Sequence, residues 1–309
     1  MAYRTCRGSP KRSASSRETL QPNGVAILRK PKRRWLSITW KLGLFSCAVL
    51  AVIACYCTTV DPAIRHLQIE LPDTAGQTKT TAIILLSDIH VSGPDMPPER
   101  LKRIVEQINA LQPDIVALAG DVVSDKRTAT WHYSTRESVS PLAGINARLG
   151  KVAVPGNHDH WRNIEAVREE LRKAGFTVLQ NAAVRLGPLT IGGLDDDFTR
   201  HADLPATLAA MGKLSGPQIL LSHSPDPFAD LPAGRLLMLA GHTHCGQIAY
   251  PWGGSPATMS RYGDRYACGL IRERGNTLVV TAGLGTSVLP VRMFVRPDLW
   301  QIKLKPPAL

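Results

Sequence analysis

The chain reads as a layered α/β protein preceded by a single membrane-spanning helix, and three observations predict this. Short apolar runs alternate with segments of helical period, then the pattern turns strand-rich towards the C-terminus, as in strands and helices stacked in layers. Several of the runs are apolar at every position, the mark of strands buried on both faces. Ahead of them, Leu42 to Val60 is 19 residues without a charge, close to the ~20 that cross a bilayer as a helix.

The 309 residues suffice for one large domain or two ordinary ones, and an apolar share of 44% supports a real core. The net charge of +12 is concentrated at one end: up to Lys41 lie eleven of the 37 basic residues and one, Glu18, of the 25 acids. The remainder is nearly neutral, so the excess belongs to a tail. Aromatics are few and do not interleave with the basic run, which argues against a stacking nucleic-acid surface. Six cysteines show no CxxC pairing. Cys6, Cys47, Cys55 and Cys57 lie in the tail and the apolar segment, and only Cys245 and Cys268 beyond it. A disulfide is open to those two, but two buried thiols are the expectation, so cysteine usage leaves the compartment open.

Residues 1–34, rich in Ser, Pro, Lys and Arg, are expected to be a disordered basic tail. Residues 35–60 are the expected anchor, with Trp35, Trp40 and Tyr56 suited to the two interfaces. A core helix would not be so apolar all round beside a basic block. A cleaved export signal competes with the anchor: Arg33-Arg34-Trp35-Leu36 loosely resembles a twin-arginine signal, and Val52-Ile53-Ala54-Cys55 a lipoprotein box. The positive-inside rule places the tail in the cytoplasm and the rest across the inner membrane, on the periplasmic side. Residues 61–80 are a linker leading into a first strand, and 81–309 the main folded domain.

Within that domain, Ala82–Leu86, Ile115–Ala119 and Val152–Val154 are buried strands. Pro97–Leu111 is a helix, with Pro97-Pro98 at its start and Leu101, Ile104, Val105, Ile108 and Leu111 on one face. Ile164–Ala174 is a further helix, stopped by Gly175. Leu189–Ile191, Ile219–Leu221, Leu236–Leu239, Leu278–Val280 and Ile302–Leu304 are more strands. No internal repeat is visible.

Five of these strands run into polar groups of metal-ligand type: Ser87-Asp88-Ile89-His90, Gly120-Asp121, Pro155-Gly156-Asn157-His158-Asp159, Ser222-His223 and Gly241-His242-Thr243-His244. Ligands of open α/β sheets bind beyond the carboxyl ends of the strands. Taken singly, Asp121 is a helix cap, Asn157 a turn residue and His223 a satisfied core histidine. Five such groups in succession point to one site.

The set DxH, GD, GNHD, a lone His and GHxH, in order across residues 81–245, resembles the calcineurin-like metallophosphoesterase superfamily. The resemblance implies an α/β/β/α sandwich of two mixed sheets around two divalent metal ions. It implies Asp88, His90 and His244 on one metal, Asn157, His223 and His242 on the other, and Asp121 bridging both. Mixed N/O ligands suit Mn, with Fe or Zn also possible, and two ions ~3.5–4 Å apart clamp a phosphate for attack by a metal-bound hydroxide. His158 would stabilise the phosphate or protonate the leaving oxygen, and Asp159 would orient that imidazole. Cys245 stands where such relatives usually have glycine, and is either a passive small residue, the favoured reading, or a soft donor near the metals.

Three further stretches, Gly193-Leu194-Asp195-Asp196, Gly246-Gln247-Ile248 with Pro251, and Gly283-Leu284-Gly285-Thr286-Ser287 with Leu289-Pro290-Val291-Arg292, resemble a branch of membrane-anchored or exported bacterial phosphodiesterases. Some of that branch are linked to UDP-2,3-diacylglucosamine cleavage in lipid A biosynthesis. The expected activity is therefore hydrolysis of a phosphodiester or pyrophosphate, on such a lipid-linked substrate, with two alternatives. One is an exported phosphodiesterase acting on envelope phospholipids or phosphate esters. The other is a non-catalytic scaffold, disfavoured because all seven ligands and His158 are present. The nucleotide substrate is cytoplasmic, which conflicts with the charge rule. Arg200, Arg261, Arg265 and Arg292 are candidate phosphate contacts, Arg292 foremost. The expected partners are the lipid bilayer and a phosphate-ester or lipid-linked substrate, with no nucleic acid, for a monomer.

Overall fold

The computed structural model describes residues 33–70 and 80–305. The expected basic tail lies outside the described residues except for Arg33 and Arg34, which begin the first helix. The chain divides into two units at Ser46 and Cys47, so that helix α1, Arg33–Thr59, contributes to both. Its stretch Thr39–Thr59 is long and apolar enough to cross a membrane.

The second unit contains two six-stranded sheets. The first is built from β1 (Ala63–Glu70), β2 (Thr81–Leu86), β4 (Ile115–Ala119), β6 (Gly150–Val154), β7 (Phe176–Val178) and β14 (Asp298–Lys305), in the order β1-β14-β2-β4-β6-β7. The second holds β8 (Ala182–Leu186), β9 (Leu189–Gly193), β10 (Gln218–Leu221), β11 (Leu237–Ala240), β12 (Gly269–Glu273) and β13 (Asn276–Val280), in the order β12-β13-β11-β10-β9-β8. Both are mixed. β14 runs antiparallel to β2, and β12 and β8 run antiparallel to their neighbours β13 and β9. A two-residue ribbon joins β3 (Ser92–Gly93) to β5 (Trp131–His132).

The all-apolar strands follow from this layering. In β2, Ile83 and Leu85 meet Ile219, Leu221, Leu237 and Leu239 between the sheets. Ile84 and Leu86 point the other way, to a layer with Leu101, Ile104 and Ile108 of α2 (Pro98–Ala110) and Val167 and Leu171 of α4 (Asn157–Lys173). The outer face of the second sheet is covered by Met211 of α5 (Leu204–Gly212) with Phe228 and Tyr266. Helices, sheet, sheet and helix thus form the expected four layers, with α3 (Thr135–Val139) beside α4.

The expected helix at 164–174 begins earlier, at Asn157. Asn163 is extended within it (φ −178°, ψ 96°), and its Oδ1 accepts from Ala166 N at 3.1 Å, capping the second segment. That break makes the second half look like a helix of its own in the sequence.

Candidate metal centre

Seven polar residues converge where five strands end. Asp88 and His90 follow β2, Asp121 follows β4, Asn157 follows β6, His223 follows β10, and His242 and His244 follow β11. All seven are buried. Five of them, Asp88, His90, Asp121, His242 and His244, hold φ between 48° and 70°. This left-handed backbone turns the chain sharply and is rare for side chains other than Asn, Asp and His. The neighbouring glycines admit the convergence. A Cβ on Gly156 would lie 2.2 Å from Asp121 Oδ1, and one on Gly241 2.4 Å from Asp88 Oδ2.

His223 sets the geometry. Its Nδ1 donates to Ala119 O at 2.7 Å, which aims Nε2 inward. Around Nε2, each at 3.1 Å, stand Asp121 Oδ2, Asn157 Oδ1 and His242 Nδ1. Next to this group, His90 Nε2 and His244 Nε2 face each other at 3.2 Å, with Asp88 Oδ1 at 3.8 Å and 3.3 Å from them. Asp121 Oδ2 also lies 3.6 Å from His90 Nε2, so it stands between the two groups. Asp88 Oδ1 and His242 Nε2 are buried with no hydrogen-bond partner.

The electrostatics reflect this crowding of lone pairs. Burial and the neighbouring His223 push His242 down to about 4. Burial also lowers His90 and holds His244 well below the usual imidazole value, with Asp88 opposing it. Burial opposes the charge on Asp88 and Asp121, yet the surrounding imidazoles, His244 first for Asp88 and His223 first for Asp121, hold both carboxyls low. His223 moves the other way, because Asp121 outweighs its desolvation. A single proton on His223 Nε2 can bridge to only one of three acceptors. A divalent cation satisfies them together, and neutral imidazoles with ionised carboxylates are the forms that bind it. The residues fit a metal.

His158 stands at the mouth. Its Nδ1 contacts the Asp125 carboxylate, its Nε2 lies 3.3 Å from Ser287 Oγ, and its ring meets His90 and Trp161 edge-on. Asp125 belongs to none of the strand-end motifs. The available signal was a carboxylate four residues after Asp121, in the loop that passes the histidine. Asp159, expected to orient His158, does something else. Its carboxylate accepts from the backbone N–H of Asp121, Val122, Val123 and Gly156 at 2.8 to 3.3 Å. Burial and the Asp121 charge push it up to about 6 against those bonds.

Arg292 also departs from its expected role as a phosphate contact. It is fully buried rather than facing a substrate. Its Nη2 donates to the carbonyls of Ala282, Gly283 and Gly285 and lies 3.4 Å from His244 Nδ1, on the ring edge away from Asp88. Arg261 is paired with Asp226 and Asp197, and Arg265 with Glu273. The two thiols expected at Cys245 and Cys268 form a disulfide. The tight turn after His244, with Cys245 at φ 52°, brings the two Cα atoms to 4.7 Å.

The family description "Calcineurin-like phosphoesterase" matches residues 81–253. An uncharacterized metallophosphoesterase of Bacillus subtilis, YkuE, is 34% identical over 72% of this chain and 78% of its own length. A zebrafish (Danio rerio) transmembrane protein with metallophosphoesterase domain is 30% identical over 85% of this chain and 62% of its own. An uncharacterized metallophosphoesterase of Helicobacter pylori is 31% identical over 74% and 60%. This chain thus spans about three fifths of the length of the latter two relatives. The strand-end motifs, the inward-facing donors and these likenesses agree: the chain belongs to the calcineurin-like phosphoesterases, metal-dependent hydrolases of phosphate esters.

Proposed function

We propose that this hydrolase is a membrane-anchored phosphodiesterase, with Asp88, His90 and His244 holding one divalent ion, Asn157, His223 and His242 a second, and Asp121 shared. The convergence of three acceptors on His223 Nε2 carries this reading. The mixed donors suit Mn, with Fe or Zn as substitutes. When bound, such ions supply the positive charge that stabilises a phosphoryl transition state and activates water.

His158, with Nδ1 held by Asp125, presents Nε2 to the leaving oxygen and donates its proton there. Asp125, by holding Nδ1, fixes the orientation of the ring for that transfer. Phe198 and Trp161, 6.1 Å apart, wall the mouth beside His242 and His158. They favour a phosphate that carries an apolar or aromatic group.

Two observations favour an envelope substrate over UDP-2,3-diacylglucosamine of lipid A biosynthesis. The basic tail before α1 predicts that the catalytic domain lies across the inner membrane from the cytoplasm. The disulfide beside His244 suits an oxidising compartment. An exported phosphodiesterase acting on envelope phospholipids or phosphate esters meets both conditions.

The test is the full chain in detergent, loaded with Mn and given bis-p-nitrophenyl phosphate, p-nitrophenyl phosphate and UDP-2,3-diacylglucosamine in parallel. The diester should turn over fastest, and release of UMP from the lipid-sugar nucleotide would reverse both substrate and side. Asp121→Ala and His242→Ala should each abolish hydrolysis in a folded protein. Turnover retained by both variants would overturn the site.

A further inference from the structure

The C-terminal end of α1 and two loops beside the metal centre share one surface. The backbone N–H of Arg292 donates to Ala54 O at 2.9 Å. Ala54 lies within the stretch long and apolar enough to span a membrane, about 7 Å short of its end at 1.5 Å per residue. Ala54 and Thr58, one turn apart, are buried, while most of their helical neighbours are exposed. The loop 286–295 therefore reaches back alongside the apolar helix.

A second loop, 247–260, is tied to the first. Met293 N donates to Gln247 O and Ala249 N to Met293 O, at 3.1 and 3.0 Å. The Gln247 side chain bonds Leu289 O and Ser287 N, both at 3.0 Å. Residues 247–260 contain no charged side chain, and 286–295 contain only Arg292, whose guanidinium is turned inward on three carbonyls. What the loops expose is apolar: Trp252 is 81% exposed, Val288 70% and Phe294 65%. Tyr250 stacks on Trp252 at 5.3 Å. Apolar residues grouped in this way mark an interaction surface. The next charge, Arg296, is exposed and donates to Asp61 O at 3.0 and 2.8 Å, just beyond the helix end. Aromatic and apolar groups beside the helix, with an arginine at its end, match a water–lipid boundary.

We propose that Ile248, Tyr250, Trp252, Val288, Leu289 and Phe294 insert into the bilayer that holds α1, bringing the His158 edge of the metal centre to the lipid surface. The inference rests on the anchor reading and deepens it. Ser287, 3.3 Å from His158 Nε2, begins the inserted loop, so a phosphate presented at headgroup level would meet His158 without leaving the membrane.

The test places a bimane label on single cysteines in the full chain, with Cys6, Cys47, Cys55 and Cys57 changed to serine and the disulfide kept. Labels go on Val288→Cys, Phe294→Cys, Leu50→Cys within α1, and Lys213→Cys. Lys213 precedes β10, at the strand end opposite His223. The proteins are reconstituted in phosphatidylethanolamine–phosphatidylglycerol vesicles with and without acyl-chain-brominated lipid, and thermal melts in detergent check folding. Brominated lipid should quench positions 50, 288 and 294 at least two-fold, and iodide should quench position 213 alone. Quenching at 50 but not at 288 and 294 overturns the inserted surface and leaves the anchor standing. Shielding of 288 and 294 from both quenchers identifies a covering protein and also overturns it. No quenching at 50 removes the anchor and the inference together. None of these readouts needs turnover, so the fate of the proposed activity is separate.

Discussion

At the residue scale, His158 and Asp125 divide one task. The imidazole edge faces the mouth, and the carboxylate holds its far nitrogen. Replacing His158 with Asn should lower kcat on an activated diester by about 10²-fold or more while metal content stays as in the parent. Asp125→Asn keeps the shape but removes the carboxylate that holds Nδ1, so kcat should fall by a smaller factor with KM little changed. Loss of metal from either variant, read by elemental analysis, would mean the pair is structural. Asp159 shows how sequence adjacency misleads: it follows His158 in the chain, yet the helical turn directs its carboxylate to four backbone N–H groups. The true partner of His158 comes from another loop, and no local pattern announces that.

At the element scale, α4 and the end of β9 are pinned by His160 and Asp195, whose Nε2 and Oδ1 are 2.8 Å apart. Burial opposes the charge on each. Their hydrogen bond, together with the acidic neighbours of His160 and the further donors to Asp195, outweighs it, raising His160 above its ordinary 6.5 and lowering Asp195 below its ordinary 3.8. The signs fix a window. The His160 contribution is complete below pH 6.5 and is lost as pH rises through the raised value. The Asp195 contribution is complete above pH 3.8 and is lost as pH falls through the lowered value. His160→Gln should therefore cost on the order of 1 kcal/mol near pH 5, and the difference in Tm should narrow as pH rises through the raised His160 value. A constant difference across that range would show that packing on His201, whose ring stacks at 4.2 Å, is what matters.

At the scale of the whole molecule, the first sheet depends on a segment the sequence leaves half-described. β1 pairs in parallel with β14 along eight residues, although it lies within the expected linker and first strand. A chain starting at residue 62 should keep both sheets and lose the acceptors that Ala54, Val60 and Asp61 offer to Arg292, Arg100 and Arg296. One starting at residue 80 leaves an edge of β14 unpaired and should melt lower and self-associate, as scattering during a thermal ramp would show. Equal melting of the two would mean that β1 is dispensable. The central strands were legible because burial on both faces makes them apolar throughout. β7, β8 and β12 were not, because each is a sheet edge whose side chains are mostly half-exposed or exposed. The seven inward-facing residues were legible because every one follows a central strand. The disulfide and the inward turn of Arg292 depend on how loops fold back, which no periodicity encodes.

The left-handed backbone at Asp88, His90, Asp121, His242 and His244 has a consequence for how the centre tolerates change. A β-branched residue at any of these positions would oppose the turn before any question of ion binding arose, and glycine would relax the turn but supply no donor. Asn, Asp and His are the side chains that most readily accept such a turn, and all three offer oxygen or nitrogen to a cation. The bend and the donor thus draw on the same short alphabet, so random replacement at these five places is opposed by two independent filters that spare nearly the same letters.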